Sequence, residues 1–195
     1  MKPRLVVLAG PNGAGKSTFY QVYLQEAGLA FLNADIFQAH TGVDAYEAAR
    51  ALDAARLAYL ELKVSFVTET VFSDQDGRKL GFLRRAIDAG YDVELIYIGL
   101  AGPILAQRRV AYRIARGGHP VPPEKIASRY PRSLENLAKA LEFVPSVVLF
   151  DNSVWEGYRR LGTFRNGHLV EKIANYIPDW ARRFFPEHES GQRPS

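Results

Sequence analysis

The stretch from Leu5 to Thr18 combines residue types and spacing that suit phosphate chemistry. An apolar run leads into a glycine-rich turn, and Gly10, Gly15, Lys16 and Ser17 fill the GxxxxGK[ST] pattern of a phosphate-binding loop. Glycines allow positive φ and close approach of a ligand, so successive N–H groups can point at phosphate oxygens at the start of the following helix. The pattern predicts an ATP site formed by Gly10, Pro11, Asn12, Gly13, Ala14, Gly15, Lys16, Ser17 and Thr18.

Two side chains of this loop have separate predicted tasks. Lys16 supplies a positive charge for the β- and γ-phosphates, and the Ser17 hydroxyl is the predicted Mg²⁺ ligand. The alternative is a glycine-rich turn that binds no ligand. The combination of strand, complete motif and helical pattern favours the nucleotide site.

Three carboxylates follow apolar runs that read as strands. Asp35 comes after the second run, Glu69 after the third and Asp151 after the last. In a parallel sheet, ligands bind outside the carboxyl ends of the strands, so these carboxylates should border the same crevice as the loop. Asp35 is the predicted base that takes a proton from an acceptor hydroxyl, with a loop or helix-capping aspartate as the alternative.

Glu69 has two predicted uses and one structural alternative. Its carboxylate could accept a hydrogen bond from an acceptor hydroxyl, or it could hold a Mg²⁺-bound water. The structural alternative is that Glu69 and its threonine neighbours only cap the next loop.

The positive charge of the chain is concentrated in one segment. The net charge is +4, yet residues 108–132 hold seven basic residues and a single acidic one. Arg109, Arg113 and Arg116 are spaced to share a helix face, and Arg129 and Arg132 lie with Asn136 near one face of the next helix. Two such helices predict a lid over residues 108–136 that places guanidinium groups on phosphates.

The lid arginines receive individual predictions. Arg113 and Arg116 are assigned to catalysis, Arg109 to the nucleotide and Arg129 to the acceptor. His119 is expected to brace the lid turn rather than contact phosphate. A solvated helical face is the structural alternative for the whole segment. Nucleic acid is not an expected partner, because the positive charge is confined to the lid.

The last apolar run, Val147–Phe150, ends in Asp151 like a Walker B strand. Asn152 follows where an ATP-hydrolysing motor would have glutamate, and no LSGGQ-like signature occurs. Both observations count against a transport-type ATPase. Asp151, Asn152 and Ser153 are instead expected to lie near the base or to anchor the loop.

The elements that must position these residues alternate between strand and helix patterns. Such alternation predicts a three-layer α/β/α fold with a mostly parallel five-stranded sheet. Pro131 should kink or restart its helix. The predicted strands are 5–9, 29–32, 64–68, 93–98 and 147–150, with a hairpin at 161–164 and 168–170; the predicted helices are 17–27, 44–62, 76–89, 103–116, a stretch from 124 onward and a short one at 180–185.

The 195 residues suit one domain, predicted over residues 1–186, with a disordered tail at 187–195. The sequence has no cysteine, which excludes disulfides and thiolate chemistry and fits a cytoplasmic bacterial protein. No apolar run approaches the length of a membrane helix.

Together, the loop, Asn33-Ala34-Asp35, Thr68-Glu69-Thr70 and the arginine-bearing segment with its Gly117-Gly118-His119 turn resemble the zeta toxin family. The resemblance covers most of residues 4–153. It implies a fold like that of nucleoside monophosphate kinases. It also implies an ATP- and Mg²⁺-dependent kinase that phosphorylates a sugar hydroxyl of a nucleotide sugar, UDP-N-acetylglucosamine in the type members.

By the same resemblance, Asp35 is the base, Glu69 and Thr70 contact substrate and the lid arginines clamp phosphate. The chain departs from the family pattern at Asn33 and Gln38, where the family often has aspartate and arginine, and this bears on acceptor specificity. Type members are restrained by an antitoxin, which is therefore an expected partner. The alternatives are a nucleoside, antibiotic or polynucleotide 5′-kinase and an ABC-like ATP-binding switch without acceptor.

Overall fold

The computed structural model describes residues 2–154 and 156–185, along which strands and helices alternate. The strands are β1 (Arg4–Ala9), β2 (Ala30–Leu32), β3 (Phe66–Thr70), β4 (Asp92–Gly99), β5 (Ser146–Asp151), β6 (Arg159–Arg165) and β7 (His168–Lys172). The α-helices are α1 (Lys16–Phe19), α2 (Ala34–Thr41), α3 (Ala45–Glu61), α4 (Arg78–Asp88), α5 (Pro103–Ile114) and α6 (Pro123–Leu141). The predicted tail at 187–195 lies outside the described residues.

The sheet contains seven strands in the order β2-β3-β1-β4-β5-β6-β7. The five predicted strands are its parallel part, but the prediction of a five-stranded sheet was wrong in number, because the hairpin β6–β7 adds two antiparallel strands beside β5. Asn166 and Gly167 at the hairpin turn both have positive φ, 48° and 83°. Pairing with the hairpin satisfies backbone groups that β5 would otherwise leave at an open edge.

The sheet separates two layers of core side chains. Val7 and Leu95 face the layer that holds α3 and α4, whereas Leu8 and Ile98 face the layer that holds α1 and α5. All four are almost completely buried. Successive residues of a strand point to opposite faces, so each central strand must be apolar on both sides.

Helix α6 runs without interruption from Pro123 to Leu141, with Pro131 inside it. Of the two effects predicted for Pro131, a kink or a restart, the restart was therefore wrong. Pro131 is exposed, while the opposite face of α6 is buried by residues such as Ile126 and Leu137. Burial of that face on the core outweighs the hydrogen bond that proline cannot donate.

Helix α2 was not predicted. Asn33 caps it, since its side-chain oxygen accepts a hydrogen bond from the Ile36 amide at 3.0 Å. The helix places Asp35 in its first turn, directly after the short strand β2. The cap predicted for α3 is confirmed, because Asp44 accepts hydrogen bonds from the amides of Tyr46 and Glu47.

The phosphate-loop helix changes its hydrogen-bond pattern, passing from α1 into a π turn at Tyr20–Leu24 and a 3₁₀ turn at Gln25–Ala27. Gly28, in a left-handed conformation, ends it as predicted. None of the helices in the described ranges is long and apolar enough to span a bilayer.

Candidate active site

The phosphate loop is shaped by glycines that no other residue could replace. Gly10, Gly13 and Gly15 have φ of 142°, 77° and 87°. A Cβ on Gly10 would stand 2.1 Å from the carbonyl oxygen of Ile98 in β4. The loop is therefore in close contact with the neighbouring strand, and its conformation is set by that packing as well as by glycine's tolerance of positive φ.

Lys16 is buried beneath the loop, with 5% of its surface exposed. Its Nζ donates hydrogen bonds to the carbonyl oxygens of Gly10, at 3.0 Å, and Pro11, at 3.1 Å, and lies 3.7 Å from Glu69 Oε1. Burial lowers the pKa of the Lys16 ammonium, and the charges of Glu69 and Asp35 act in the opposite direction. The ammonium group is thus held at the floor of the loop.

Glu69 joins the loop to the second strand–helix connection. Strand β3 lies directly beside β1, with Glu69 opposite Leu8. Glu69 Oε2 accepts hydrogen bonds from Ser17 Oγ and from Asn33 Nδ2, each at 2.7 Å. Among the predicted uses of Glu69, this position favours the metal-associated one, since its carboxylate touches the predicted Mg²⁺ ligand.

The donor set around Ser17 fits Mg²⁺. The Ser17 hydroxyl and the Glu69 carboxylate are hard oxygen donors, and Mg²⁺ in nucleotide sites uses one or two protein oxygens with phosphates and waters. Within the described ranges, no group of three or more acidic, histidine or cysteine side chains forms a dedicated metal cage.

Two clefts meet above the loop. The first, about 510 Å³, is lined by Asp35, Gln38, Thr70 and Arg129, and we call it the acceptor cleft. The second, about 950 Å³, is lined by Ser17, Thr18, Arg108, Arg109 and Tyr158, and we call it the donor cleft. Both clefts share Gly13, Lys16, Glu69 and Arg113.

Asp35 reaches the acceptor cleft from the first turn of α2. Asn12 also lines this cleft, and its side-chain oxygen is buried with no hydrogen-bond partner among the described residues. Gln38, one turn further along α2, occupies the same wall. The residues by which the chain departs from the family pattern thus lie at the acceptor side of the site.

The structure brings some of the lid arginines to the clefts. Arg113 lines both clefts and donates a hydrogen bond from Nη2 to the carbonyl oxygen of His119 at 3.0 Å. Arg109 lines the donor cleft, where burial lowers the pKa of its guanidinium, and Arg129 lines the acceptor cleft. The lid turn is braced through the His119 backbone carbonyl, and His119 is among the residues that line the acceptor cleft.

The other polar residues of the lid have different surroundings. The Arg116 guanidinium lies 3.7 Å from the centre of the Tyr112 ring, and Arg116 lines neither cleft. Asn136 donates from Nδ2 to the carbonyl oxygens of Phe72 and Asp74, so it supports the loop after β3. Arg132 lines neither cleft either.

The end of β5 anchors the loop, as expected for Asp151 to Ser153. The buried Asp151 carboxylate accepts hydrogen bonds from Trp180 Nε1 at 2.9 Å and from Ser153 and Arg159. Asn152 Nδ2 donates to the Ala14 carbonyl at 2.9 Å. The prediction that Asp151 borders the same crevice as the loop was wrong: its carboxylate is buried in these contacts and lines neither cleft. The reason is strand order, since β4 lies between β5 and β1.

Tyr158 is a loop contact that the sequence did not indicate. Its hydroxyl donates a hydrogen bond to the Gly15 carbonyl at 2.6 Å, and its ring packs edge-on against Phe19. Burial raises the pKa of the Tyr158 phenol, so the group remains a donor. A single tyrosine before a hairpin belongs to no recognisable sequence motif. Only the folded structure, which places Tyr158 beside the phosphate loop, shows its hydrogen bond to Gly15.

Arg56 of α3 is a second missed residue. It is 7% exposed, and its guanidinium donates to Thr68 Oγ1 at 2.8 Å, the Glu69 carbonyl at 3.0 Å and Asp53 at 2.6 Å. The sequence placed Arg56 in an alanine-rich helix with no indication of a partner. In the structure it holds the end of β3 and thereby the Glu69 backbone.

A glycine-rich loop on β1, a parallel β2-β3-β1-β4-β5 sheet and a carboxylate beside the loop serine define the class of P-loop kinases. The zeta toxin family model matches residues 1–159. The chain belongs to the zeta toxin family.

Solved structures show the same fold. One is a chain of the PezAT toxin–antitoxin system of Streptococcus pneumoniae, with a TM-score of 0.58 and 19% identity over 77% of this chain and 68% of that one. Another comes from the AvrRxo1-ORF1:-ORF2 complex with ATP, with a TM-score of 0.64 and 17% identity over 87% of this chain and 60% of that one. At these identities the likeness concerns the fold. No curated protein sequence matches the chain.

The present chain spans about three fifths of the length of its AvrRxo1 counterpart. A chain of the Pnkp1/Rnl/Hen1 RNA repair complex also shares the fold, with a TM-score of 0.58 and 20% identity over 71% of this chain and 46% of that one.

The Tyr158 contact yields a test of the loop geometry. Tyr158→Phe should raise the dissociation constant for ATP about fivefold, because one hydrogen bond to the loop, about 1 kcal/mol, is lost while the ring packing stays. Titration calorimetry measures the change. Tyr23→Phe, in the adjacent exposed ring, is the matched control and should leave the affinity as it is. Equal affinities for wild type and Tyr158→Phe would contradict the role of this contact.

Proposed function

We propose that the protein transfers the γ-phosphoryl group of ATP to a hydroxyl of a small acceptor, namely a sugar hydroxyl of a nucleotide sugar such as UDP-N-acetylglucosamine. One observation carries the proposal. Two clefts share Lys16, Glu69 and Arg113, and a carboxylate, Asp35, lines only the cleft that does not contain Ser17 and Thr18. The second cleft, with its carboxylate, supports an acceptor over an ATP-binding switch that has none.

The residues divide the reaction between them. The oxygen of the acceptor hydroxyl attacks the γ-phosphorus of ATP, and the Asp35 carboxylate accepts the proton of that hydroxyl. The bond from the γ-phosphorus to the bridging oxygen breaks, and ADP leaves. Lys16 and Arg113 lie at the shared wall, where their positive charges oppose the negative charge on the transferring group. Bound Mg²⁺, held by Ser17 with Glu69 behind it, would neutralise phosphate charge.

Arg109, on the donor side, is assigned to the ATP phosphates, and Arg129 with Thr70 to the acceptor. Arg116 was predicted to act in catalysis; its stacking on Tyr112 supports instead a role in holding the α5 end of the lid. The predicted closure of the segment 108–136 over the clefts is part of the same proposal.

An antitoxin partner also belongs to the proposal. The family relation supports it, and so do the complexes in which the PezAT and AvrRxo1 chains were solved. The expected partner would restrain transfer in the cell.

Asp35→Asn should lower the turnover number about 10²-fold while ATP affinity stays within twofold of wild type, because the amide cannot take the hydroxyl proton. Acceptor-dependent ADP release measures turnover, and calorimetry measures ATP binding. Asp44→Asn is the matched control, since asparagine caps α3 as well as aspartate and Asp44 lies outside both clefts. Unchanged turnover in Asp35→Asn would remove this residue as the base.

Glu69→Gln should raise the Mg²⁺ concentration for half-maximal activity about tenfold, because the serine hydroxyl loses its charged partner. The amide keeps a similar shape and can still contact Ser17 and Asn33. Measurement of activity against Mg²⁺ at saturating ATP checks this. Should Glu69 instead contact the acceptor, KM for the acceptor would rise with no change in Mg²⁺ dependence.

A ³²P-transfer screen over nucleotide sugars, nucleosides, aminoglycosides and 5′-hydroxyl oligonucleotides tests the proposed function as a whole. Label is expected in a nucleotide sugar, and Lys16→Ala should abolish it. If label appears only in another class of compound, that class replaces nucleotide sugars as the proposed acceptor. ATP hydrolysis without any labelled acceptor would favour the ATP-binding switch.

A further inference from the structure

Asn33 lies between the metal side and the acceptor side of the site. It is almost completely buried, with 5% of its surface exposed, and it lines the acceptor cleft. Both ends of its amide are used, since Nδ2 donates to Glu69 Oε2 at 2.7 Å and Oδ1 accepts from the Ile36 amide at 3.0 Å. One side chain thus joins the carboxylate beside Ser17 to the first turn of α2.

Helix α2 buries little of its own surface. None of residues 34–41 is buried, and the large apolar side chains Ile36 and Phe37 remain 42% and 37% exposed. A helix in a protein gains most of its stability by packing an apolar face on the core. The cap at Asn33 therefore contributes a large share of what holds α2, and with it Asp35, in place.

The chain directly before Asn33 is fixed to the sheet. Leu32 pairs with Thr68 of β3, and Thr68 Oγ1 donates a hydrogen bond to the Leu32 carbonyl at 3.0 Å. Arg56 Nε in turn donates to Thr68 Oγ1 at 2.8 Å. Asn33 is therefore the residue at which α2 leaves the sheet, so its contacts direct the helix that carries Asp35.

The link between Glu69 and α2 requires an amide at position 33. A side chain that bonds a carboxylate and a backbone N–H together must be both a donor and an acceptor. An ionised aspartate, which the zeta toxin family often has here, would cap α2 but could not donate to Glu69. The contact follows from the asparagine of this chain.

The Ser17 hydroxyl connects this link to the nucleotide. If its oxygen binds Mg²⁺, its proton must point away from the metal, and Glu69 Oε2 is the acceptor that lies 2.7 Å away. The Glu69 carboxylate is then held in one position. Asn33 bonds an acceptor that is already in place, so ordering α2 costs less conformational entropy.

We propose that Asn33 is a positioning residue that couples the binding of ATP and Mg²⁺ at the phosphate loop to the order of α2 and hence to the position of Asp35. The role of Asp35 in this statement rests on the proposed function, whereas the coupling of Glu69 to α2 does not. With the loop filled, the base is held at the acceptor cleft. With the loop empty, α2 opens more often.

The first experiment measures hydrogen–deuterium exchange of the α2 amides by mass spectrometry, without ligand and with Mg²⁺ and the non-hydrolysable analogue β,γ-imido-ATP. In wild type the analogue with Mg²⁺ should slow exchange about fivefold or more, and the analogue with EDTA should slow it less than about twofold. In Asn33→Ser neither condition should slow exchange, because serine caps a helix but is too short to reach Glu69.

The matched control is Asp44→Ser, which places the same capping residue at the start of α3, outside both clefts. Its α2 amides should respond to the analogue as those of wild type do. Calorimetry checks that each protein is saturated with the analogue, and circular dichroism and Tm check that both variants are folded.

The second experiment measures transfer to the acceptor that takes up label in the screen. Asn33→Ser should lower kcat about tenfold, because Asp35 is less often in position, while KM for ATP stays within about twofold of wild type. Asp44→Ser should behave as wild type. A loss of fold alone would lower the amount of active enzyme and Tm without removing the response of α2 to Mg²⁺.

The outcomes separate this inference from the proposed function. Exchange in wild type that the analogue leaves unchanged, or equal slowing in wild type and Asn33→Ser, overturns the coupling and leaves the kinase activity intact. Unchanged kcat in Asn33→Ser overturns the positioning of Asp35. Absence of transfer to every acceptor overturns the proposed function, while the exchange experiment still decides whether Asn33 couples the loop to α2.

Discussion

The hydrogen bonds from Ser17 and Asn33 to a single oxygen of Glu69 are the contacts on which the site depends. They connect the phosphate loop, the end of β3 and the start of α2 at one carboxylate. Lys16 lies 3.7 Å from the other oxygen of the same group. Because the Glu69 carboxylate is charged and half-buried, each hydrogen bond that it accepts is stronger than one to a neutral group. These hydrogen bonds fix the three elements in one arrangement.

Strand order explains why Glu69 has this position and Asp151 does not. Both carboxylates end apolar strands, but β3 pairs with β1 and β5 does not. The carboxylate beside the loop serine must therefore come from β3. Asp151, two strands away, is buried against Trp180 and Arg159 and stabilises the segment that carries Asn152 and Tyr158 to the loop.

The loop is thus supported from three sides. Ile98 of β4 packs against Gly10, while Asn152 and Tyr158 bond the carbonyls of Ala14 and Gly15. Arg56 holds β3 from the other face of the sheet through the Glu69 carbonyl. With the backbone so constrained, the N–H groups of the loop need little rearrangement to meet a phosphate, which favours binding and transfer.

The sequence by itself determined the phosphate loop, the five parallel strands, the hairpin and the presence of Asp35 and Glu69 at strand ends, because motif spacing and apolar periodicity are local properties. It also determined the family, through motifs that lie far apart along the chain. Strand order and burial are not local. Only the tertiary structure decided that the hairpin joins the sheet, that α6 passes through Pro131, that Arg116 stacks on Tyr112, and that Tyr158 and Arg56 contact the phosphate loop and the end of β3. Each of these features depends on contacts between residues that are distant in sequence. The packing energy of those contacts exceeds the local conformational preferences of the chain.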